Sequence, residues 1–313
     1  PFGQWSYGFS EQNPPPLRLS CKGWEEAVQR PGCAWFKYVL GVSKRRGFES
    51  RDMLQLSQGE WLHGWIGRAL APEAEAASVE LLKLEDWRAA VRAQADALQA
   101  KVDAAYQAAG RPLPDWWTVF RASVLSRTLA SVNRVAGLGE WRWGVPEWNL
   151  PVDCEISLGA GVDAVSLAVT GRIDLLLTAH PISAGETPPA GDAWVLDFKT
   201  GSDKPLSLKL VEAGKGLQLA LYALALEQLG FSGVSASVVK HDLPLEQQLD
   251  AQDAATAALV SERLPAIVRS SVLGDAGEIR SEFSFTGDFP LATLQVPPEL
   301  LEARLACASG QTA

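Results

Sequence analysis

Positive charge is scarce in this chain, and so are sulfur and imidazole. Lys and Arg number 28 against 37 Asp and Glu, for a formal net charge of −9. General nucleic-acid-binding domains are usually basic, so that balance argues against a polybasic surface while leaving room for positive groups gathered in one groove. The four cysteines, Cys21, Cys33, Cys154 and Cys307, form no C-x-x-C pair, so neither a zinc site nor a disulfide framework is expected. No apolar run approaches the roughly 20 residues of a membrane span, and the N-terminus has neither a basic n-region nor an apolar h-region. A cytoplasmic protein with no membrane partner is expected. The first residue is Pro1 rather than Met, as in a fragment or a processed chain. No G-x-x-x-x-G-K-[ST] loop occurs, which excludes a P-loop ATPase and its bound nucleotide. H-E-x-x-H and G-x-S-x-G are also missing, which removes the zincin and α/β-hydrolase readings.

What is present is ordinary for a soluble globular protein: 313 residues, 47% hydrophobic and 21% charged, enough to bury a sizeable core. Residues 1–16 are rich in Pro and Gly and are expected to form an extended arm. Residues 17–313 are expected to form one domain, with 72–137 a helical subdomain and 283–313 a C-terminal extension. Helices are predicted from Gly59 to Leu70, across the Ala- and charge-rich stretch 72–110, from Asp115 to Val135, from Lys215 to Leu229 and over 251–272. The segment 23–42 is predicted helical but broken at Arg30-Pro31-Gly32, and Leu300 to Ala308 as a short closing helix. The 72–137 segment is either a substrate-facing layer or packing over a sheet. Val152–Leu158 and Val162–Val169, joined by Gly159-Ala160-Gly161, form a predicted hairpin. Gly233–His241 reads as a further strand. Twelve tryptophans are core residues sooner than base-stacking platforms. Lys44-Arg45-Arg46 with Arg51 is a basic cluster, a solvated loop sooner than a phosphate contact.

Three polar clusters stand inside otherwise apolar segments, where polar groups need a reason. Ala193 to Lys199 reads as a strand, with Val195, Asp197 and Lys199 on one face and Trp194, Leu196 and Phe198 on the other, which faces the core. Ile173 to Thr178 reads as its neighbour, with Asp174 near its start, because the intervening segment holds Pro181, Pro188, Pro189, Gly185 and Gly191. Two carboxylates converging from adjacent strands repel unless a cation lies between them, and oxygen ligands of this kind suit Mg²⁺ or Mn²⁺. Gln218 and Tyr222 lie four residues apart, on one face of an apolar helix that ends at Gly230. Glu155 is a further acid that could join the site or face solvent.

Gly171-Arg172-Ile173-Asp174, Asp197-Phe198-Lys199 followed by Thr200-Gly201, and Gln218-x-x-x-Tyr222 occur in that order. They resemble the RecB-like branch of the PD-(D/E)XK nuclease superfamily, as does their spacing. Upstream, Gly59-Glu60-Trp61-Leu62-His63 resembles the branch's G-x-x-x-H helix, and Arg30-Pro31-Gly32-Cys33-Ala34-Trp35-Phe36 leading to Leu40-Gly41-Val42 resembles its opening helix. Spacing alone leaves His63 a structural histidine; the motif order favours a metal ligand. The resemblance spans roughly residues 20 to 240 and implies an α/β fold: a central mixed sheet flanked by helices, with a restriction-endonuclease-like core and a helical N-terminal insertion. It implies a deoxyribonuclease, exonuclease ahead of endonuclease, serving a repair or recombination helicase–nuclease system. His63, Asp174, Asp197 and the Phe198 carbonyl would ligate Mg²⁺ or Mn²⁺. Asp174, Asp197 and Lys199 would be catalytic, while Gln218 and Tyr222 would support the metal or touch DNA. Some relatives hold an iron–sulfur cluster through a cysteine at the position of Cys33 and three near the C-terminus; only Cys307 is available there, so no cluster is expected. The implied partners are DNA, single-stranded, and a helicase subunit or an upstream helicase-like domain. The competing reading is a catalytically silent scaffold that binds DNA or a helicase without cutting.

Overall fold

The computed structural model of the chain describes residues 18–29, 38, 50–72, 77–138, 141–158, 165–183, 191–200, 214, 216–240, 248–250, 260 and 264, with 50–56 and 248–250 described by backbone alone. Element order is β1 (Arg18–Ser20), α1 (Cys21–Gln29), α2 (Ser50–Leu70), β2 (Val79–Glu80), α3 (Leu84–Ala108), α4 (Asp115–Ala136), β3 (Trp143–Asn149), β4 (Glu155–Leu158), β5 (Val165–Thr170), β6 (Arg172–Thr178), β7 (Asp192–Phe198), α5 (Leu217–Gln228), β8 (Gly233–Val239) and β9 (Gln248–Asp250).

Strand alternation builds a mixed sheet in the order β2-β3-β6-β7-β8-β9. β7 and β8 pair in parallel, and the other neighbours are antiparallel. A parallel pair needs a crossover, and α5 lies on it. A smaller sheet, β1-β5-β4, stands apart, so the predicted hairpin belongs to this second sheet although β5 runs directly into β6. Each face of the large sheet has its own core. On one side Val195 and Leu176 pack with Trp24 of α1, with Leu221 of α5 and with Ile156 and Leu167 of the small sheet. On the other, Trp194, Leu196, Phe198, Leu175 and Leu177 pack under Trp65 and Ile66 of α2, Trp87 and Val91 of α3 and Val132 of α4. The sequence suggested one covered face of β7; both are covered, and so β7 is apolar along nearly its whole length.

Two helical expectations change. The helix carrying His63 begins at Ser50 rather than Gly59. Residues 72–110 do not form one helical stretch: Val79 and Glu80 pair with Gly144 and Trp143 at the sheet edge, and α3 starts only at Leu84, with Glu85 and Asp86 in its first turn. An open edge of β3 offers backbone partners that outweigh the helix propensity of a short Ala-rich run. The arm 1–16, the Arg30–Val42 motif, Lys44-Arg45-Arg46, Lys215, His241, Cys33, Cys307 and the elements expected over 251–272 and 283–313 lie outside the described residues, apart from Tyr38, Val260 and Leu264. The side chain of Arg51 lies outside them too. Among the described residues no helix is long and apolar enough to cross a membrane.

α5 is apolar along most of its length, from Leu217 to Leu226, and largely buried, as a helix between two layers should be. Gly216 at φ +81° opens it and Gly230 at φ +106° follows its end. Its seat depends on Gly171, where the β5–β6 junction passes beneath the Tyr222 ring. A methyl at Gly171 would lie 2.5 Å from Tyr222 Cε1 and 2.9 Å from its hydroxyl oxygen. Gly171→Ala is therefore expected to lower stability by about 1–3 kcal/mol through overpacking. Most of that loss should vanish in a Tyr222→Leu background, because the two sites share one contact. Urea denaturation of the four proteins measures this, and Gly171→Ala unfolding with the parent would contradict the packing.

Candidate active site

The site is built from sheet register. The β6–β7 ladder pairs Leu175 with Leu196, which makes Asp174 and Asp197 the next opposed residues. The β3–β6 ladder pairs Pro146 with Leu175 and Trp148 with Ile173, which sets Glu147 opposite Asp174. Three carboxylates, Glu147, Asp174 and Asp197, thus lie in one row across β3, β6 and β7. Directly opposed strand positions are close neighbours, and like charges there destabilise the sheet.

Positive groups meet this row from two sides. From α2, His63 Nδ1 lies 3.2 Å from Asp174 Oδ1, and its Nε2–H donates to the Phe198 carbonyl at 2.8 Å. A carbonyl can only accept, so Nε2 carries a proton, and the Nδ1–Asp174 contact is an ion pair once the ring is protonated to the imidazolium form. Burial lowers the His63 pKa, but the hydrogen bond and charge of Asp174, the Phe198 carbonyl and the charge of Asp197 carry it above its ordinary value. The other oxygen of Asp174 accepts the Phe198 N–H at 2.8 Å, tying β6 to the end of β7. Lys199, one residue past β7, donates to Asp197, with contacts of 3.0 Å to Oδ1 and 2.8 Å to Oδ2. Burial pushes the Asp197 carboxyl up, against the pull of Lys199, and neighbouring Asp174 adds to the rise. For Lys199 burial works downward, and the Asp197 carboxylate more than offsets it. The ammonium therefore stays protonated at neutral pH.

Gln218 and Tyr222 stand one turn apart, as the sequence indicated. Gln218 Nε2 donates to the Tyr222 hydroxyl at 3.3 Å, and that hydroxyl donates to the Arg172 carbonyl at 3.1 Å. Burial raises the Tyr222 phenol, so it remains a neutral donor. The pair clamps α5 to the strand that carries Asp174. Cys21 and Cys154 are buried and free, and burial holds the Cys21 thiol up. Glu155 is exposed and accepts from Ser166 at 2.6 Å, away from the row.

Sequence reasoning weighed Glu155 and missed Glu147. Glu147, His63 and Asp174 each offer a ligand atom, all within 4.8 Å of one another. Burial raises the Glu147 carboxyl while Arg172, whose Nε lies 2.7 Å from Oε2, lowers it. Glu147 has φ +52°, the one positive φ outside glycine among the described residues. Such a backbone costs about 1–3 kcal/mol and clusters at functional sites. The available signal was Pro146, since proline within a strand marks an edge or a bulge. Glu25 was missed as well. Buried on α1, it accepts the Gln218 N–H at 3.1 Å and is held by Lys22 at 2.6 Å. Gly216 has no side chain to cap α5, so this carboxylate caps the helix from another element.

The donor set fits a divalent cation: the carboxylates of Glu147 and Asp174 converge with the His63 imidazole, whose Nε2 lies against the Phe198 carbonyl, while Asp197, held by Lys199, is not in that group, and no thiolate is among them. Residues 18–287 match the family model described as the PD-(D/E)XK nuclease superfamily. No curated protein matches the chain.

The electrostatics sets a pH dependence. A group whose pKa rises on folding stabilises the fold below its ordinary value, and that contribution is lost as pH climbs through the folded value. For His63 the loss starts near 6.5 and extends upward. In EDTA, the parent's melting temperature should fall more between about pH 6 and about pH 8.5 than that of His63→Gln. Adding Mg²⁺ or Mn²⁺ should shrink the parent's fall, because a cation favours the neutral ring. Identical slopes for parent and variant in EDTA would contradict the imidazolium assignment.

Proposed function

Because the chain belongs to the PD-(D/E)XK nuclease superfamily, we propose that it is a metal-dependent deoxyribonuclease of the RecB-like branch. It hydrolyses DNA phosphodiester bonds with Mg²⁺ or Mn²⁺, as an exonuclease ahead of an endonuclease. Its setting is the cytoplasm, its substrate single-stranded DNA, and its context a helicase–nuclease system of repair or recombination. The observation that carries the reading is the row of Glu147, Asp174 and Asp197 across three strands, flanked by His63 and Lys199.

His63, Asp174, Asp197 and the Phe198 carbonyl would hold the cation, with Glu147 a further carboxylate beside it. When bound, the metal would lower the pKa of a water and neutralise charge on the phosphoryl oxygens. The remaining work falls to the chain's own groups. A lysine acting as a base would need a lowered pKa, and that of Lys199 is raised. Its role is that of a fixed cation: it donates to a scissile phosphate oxygen or orients the attacking water, stabilising charge that develops in the transition state. Asp197 aims the ammonium through both oxygens. Gln218 and Tyr222 do no chemistry, since the tyrosine hydroxyl is already committed to the Arg172 carbonyl; they keep β6 in register with α5.

Two experiments test this division of roles. Calorimetry with Mn²⁺ should give binding that Asp174→Ala largely removes, and unchanged affinity would sink the metal site. On 5′- and 3′-labelled single- and double-stranded DNA with Mg²⁺, Mn²⁺ or EDTA, the parent should cut only with metal. Lys199→Ala should bind metal yet cut at least about a hundredfold more slowly, and Tyr222→Phe should lose less. A parent that cuts with neither metal would leave the silent scaffold as the surviving reading.

A further inference from the structure

One face of α4 carries side chains that the site just described does not use. Trp116, Phe120 and Arg127, at i, i+4 and i+11, share that face. At its inner end Arg127 Nη1 donates to the Thr200 carbonyl at 3.5 Å and to Gln58 Oε1 at 3.4 Å. Thr200 directly follows Lys199. The other guanidinium nitrogens of Arg127 have no partner among the described residues. At the outer end Trp116 is 51% exposed, beside Val119 at 72%. The Trp116 ring meets Trp117 and Phe120 edge-on, at centroid distances of 6.2 and 5.9 Å. Those two in turn pack against Trp61, each at 5.2 Å, and Trp61 lies two residues before His63 on α2. The exposed ring is thus braced by a rigid aromatic cluster rooted in the helix that supplies the imidazole.

An exposed, braced indole and a guanidinium whose remaining donors have no partner among the described residues, in line with the proposed active centre, are the complement of one polymer. A single nucleic-acid strand offers base faces for stacking and phosphates for arginine. A duplex keeps its base faces to itself. We propose that this face of α4 is a track for single-stranded DNA, with Arg127 on the backbone beside the scissile phosphate and a base stacked on Trp116. The location of the scissile phosphate rests on the nuclease reading above. Eleven residues of helix span about 16 Å. At about 3.4 Å per stacked nucleotide that interval holds up to about five nucleotides, and fewer in an extended strand.

The test is fluorescence anisotropy with the full chain in EDTA, using 5′-labelled oligothymidylates of increasing length and a blunt duplex as control. Parent affinity should rise with length and level off once the strand reaches Trp116. Trp116→Leu should weaken binding of the longer strands about five- to a hundredfold and flatten the length dependence, with little change for the duplex. Trp116→Phe should retain most of the affinity, since it keeps a stacking face, and Arg127→Gln should weaken strands of every length. If the parent cuts DNA with metal but Trp116→Leu and Trp116→Phe bind all strands as the parent does, the track is wrong and the nuclease reading stands. Equal losses for strand and duplex in Trp116→Leu would also overturn it, as would equal losses in the Leu and Phe variants. A parent that cuts nothing yet keeps the length dependence and its loss in Trp116→Leu would support the track and remove the nuclease reading.

Discussion

Repulsion within one row of carboxylates is the constraint on which the rest of this structure depends. β3, β6 and β7 bring Glu147, Asp174 and Asp197 to the same level of a sheet whose two faces are otherwise apolar. Desolvation raises the cost of each charge, and proximity raises it further. The chain answers with cations fixed from different elements: the imidazolium of His63 from α2, the ammonium of Lys199 just past β7 and the guanidinium of Arg172 at the start of β6. The His63 ring donates to the Phe198 carbonyl and lies against the Asp174 carboxylate, so under the proposed function it engages the same oxygens that a divalent cation would share. Cation binding and loss of the ring proton are then linked events.

Around this row the packing serves placement. The β6 strand is held at Arg172 by Tyr222, and Tyr222 fits only because Gly171 has no side chain. α5 can sit there because Glu25, reaching from α1, satisfies the start of a helix that its own glycine cap cannot. On the opposite face α2, α3 and α4 form one aromatic-rich layer that places His63 and, through Trp61, orients the exposed indole of Trp116. The helices inserted ahead of the sheet are therefore both core and surface: Trp87 and Val91 are fully buried, while Trp116 meets solvent.

Much of the sheet could be read directly from residue order. Alternation with period two put Asp197 and Lys199 on one face, and a turn-rich connection made β6 and β7 neighbours, so Asp174 and Asp197 had to meet. Helical spacing put Gln218 beside Tyr222. What escaped depends on tertiary contact or on backbone angle. Glu147 follows a proline and has a left-handed φ that no periodicity records. Glu25 lies in a Trp-Glu-Glu sequence that resembles an ordinary solvated helix face, and its burial comes from α5, far along the chain. The short strand at Val79 is stabilised by the free edge of β3, so local propensity pointed to helix instead.

A crystal structure with Mn²⁺, showing its anomalous scattering, tests most directly whether Asp174, Asp197, His63 and the Phe198 carbonyl share one divalent cation with Glu147 beside it. A peak is expected about 2.0–2.6 Å from ligand atoms of His63, Asp174, Asp197 and the Phe198 carbonyl, with His63 turned from a donor into a ligand. A peak held by Glu155 or another surface acid instead, or His63 still bridging Asp174 and Phe198 at saturating Mn²⁺, would contradict it.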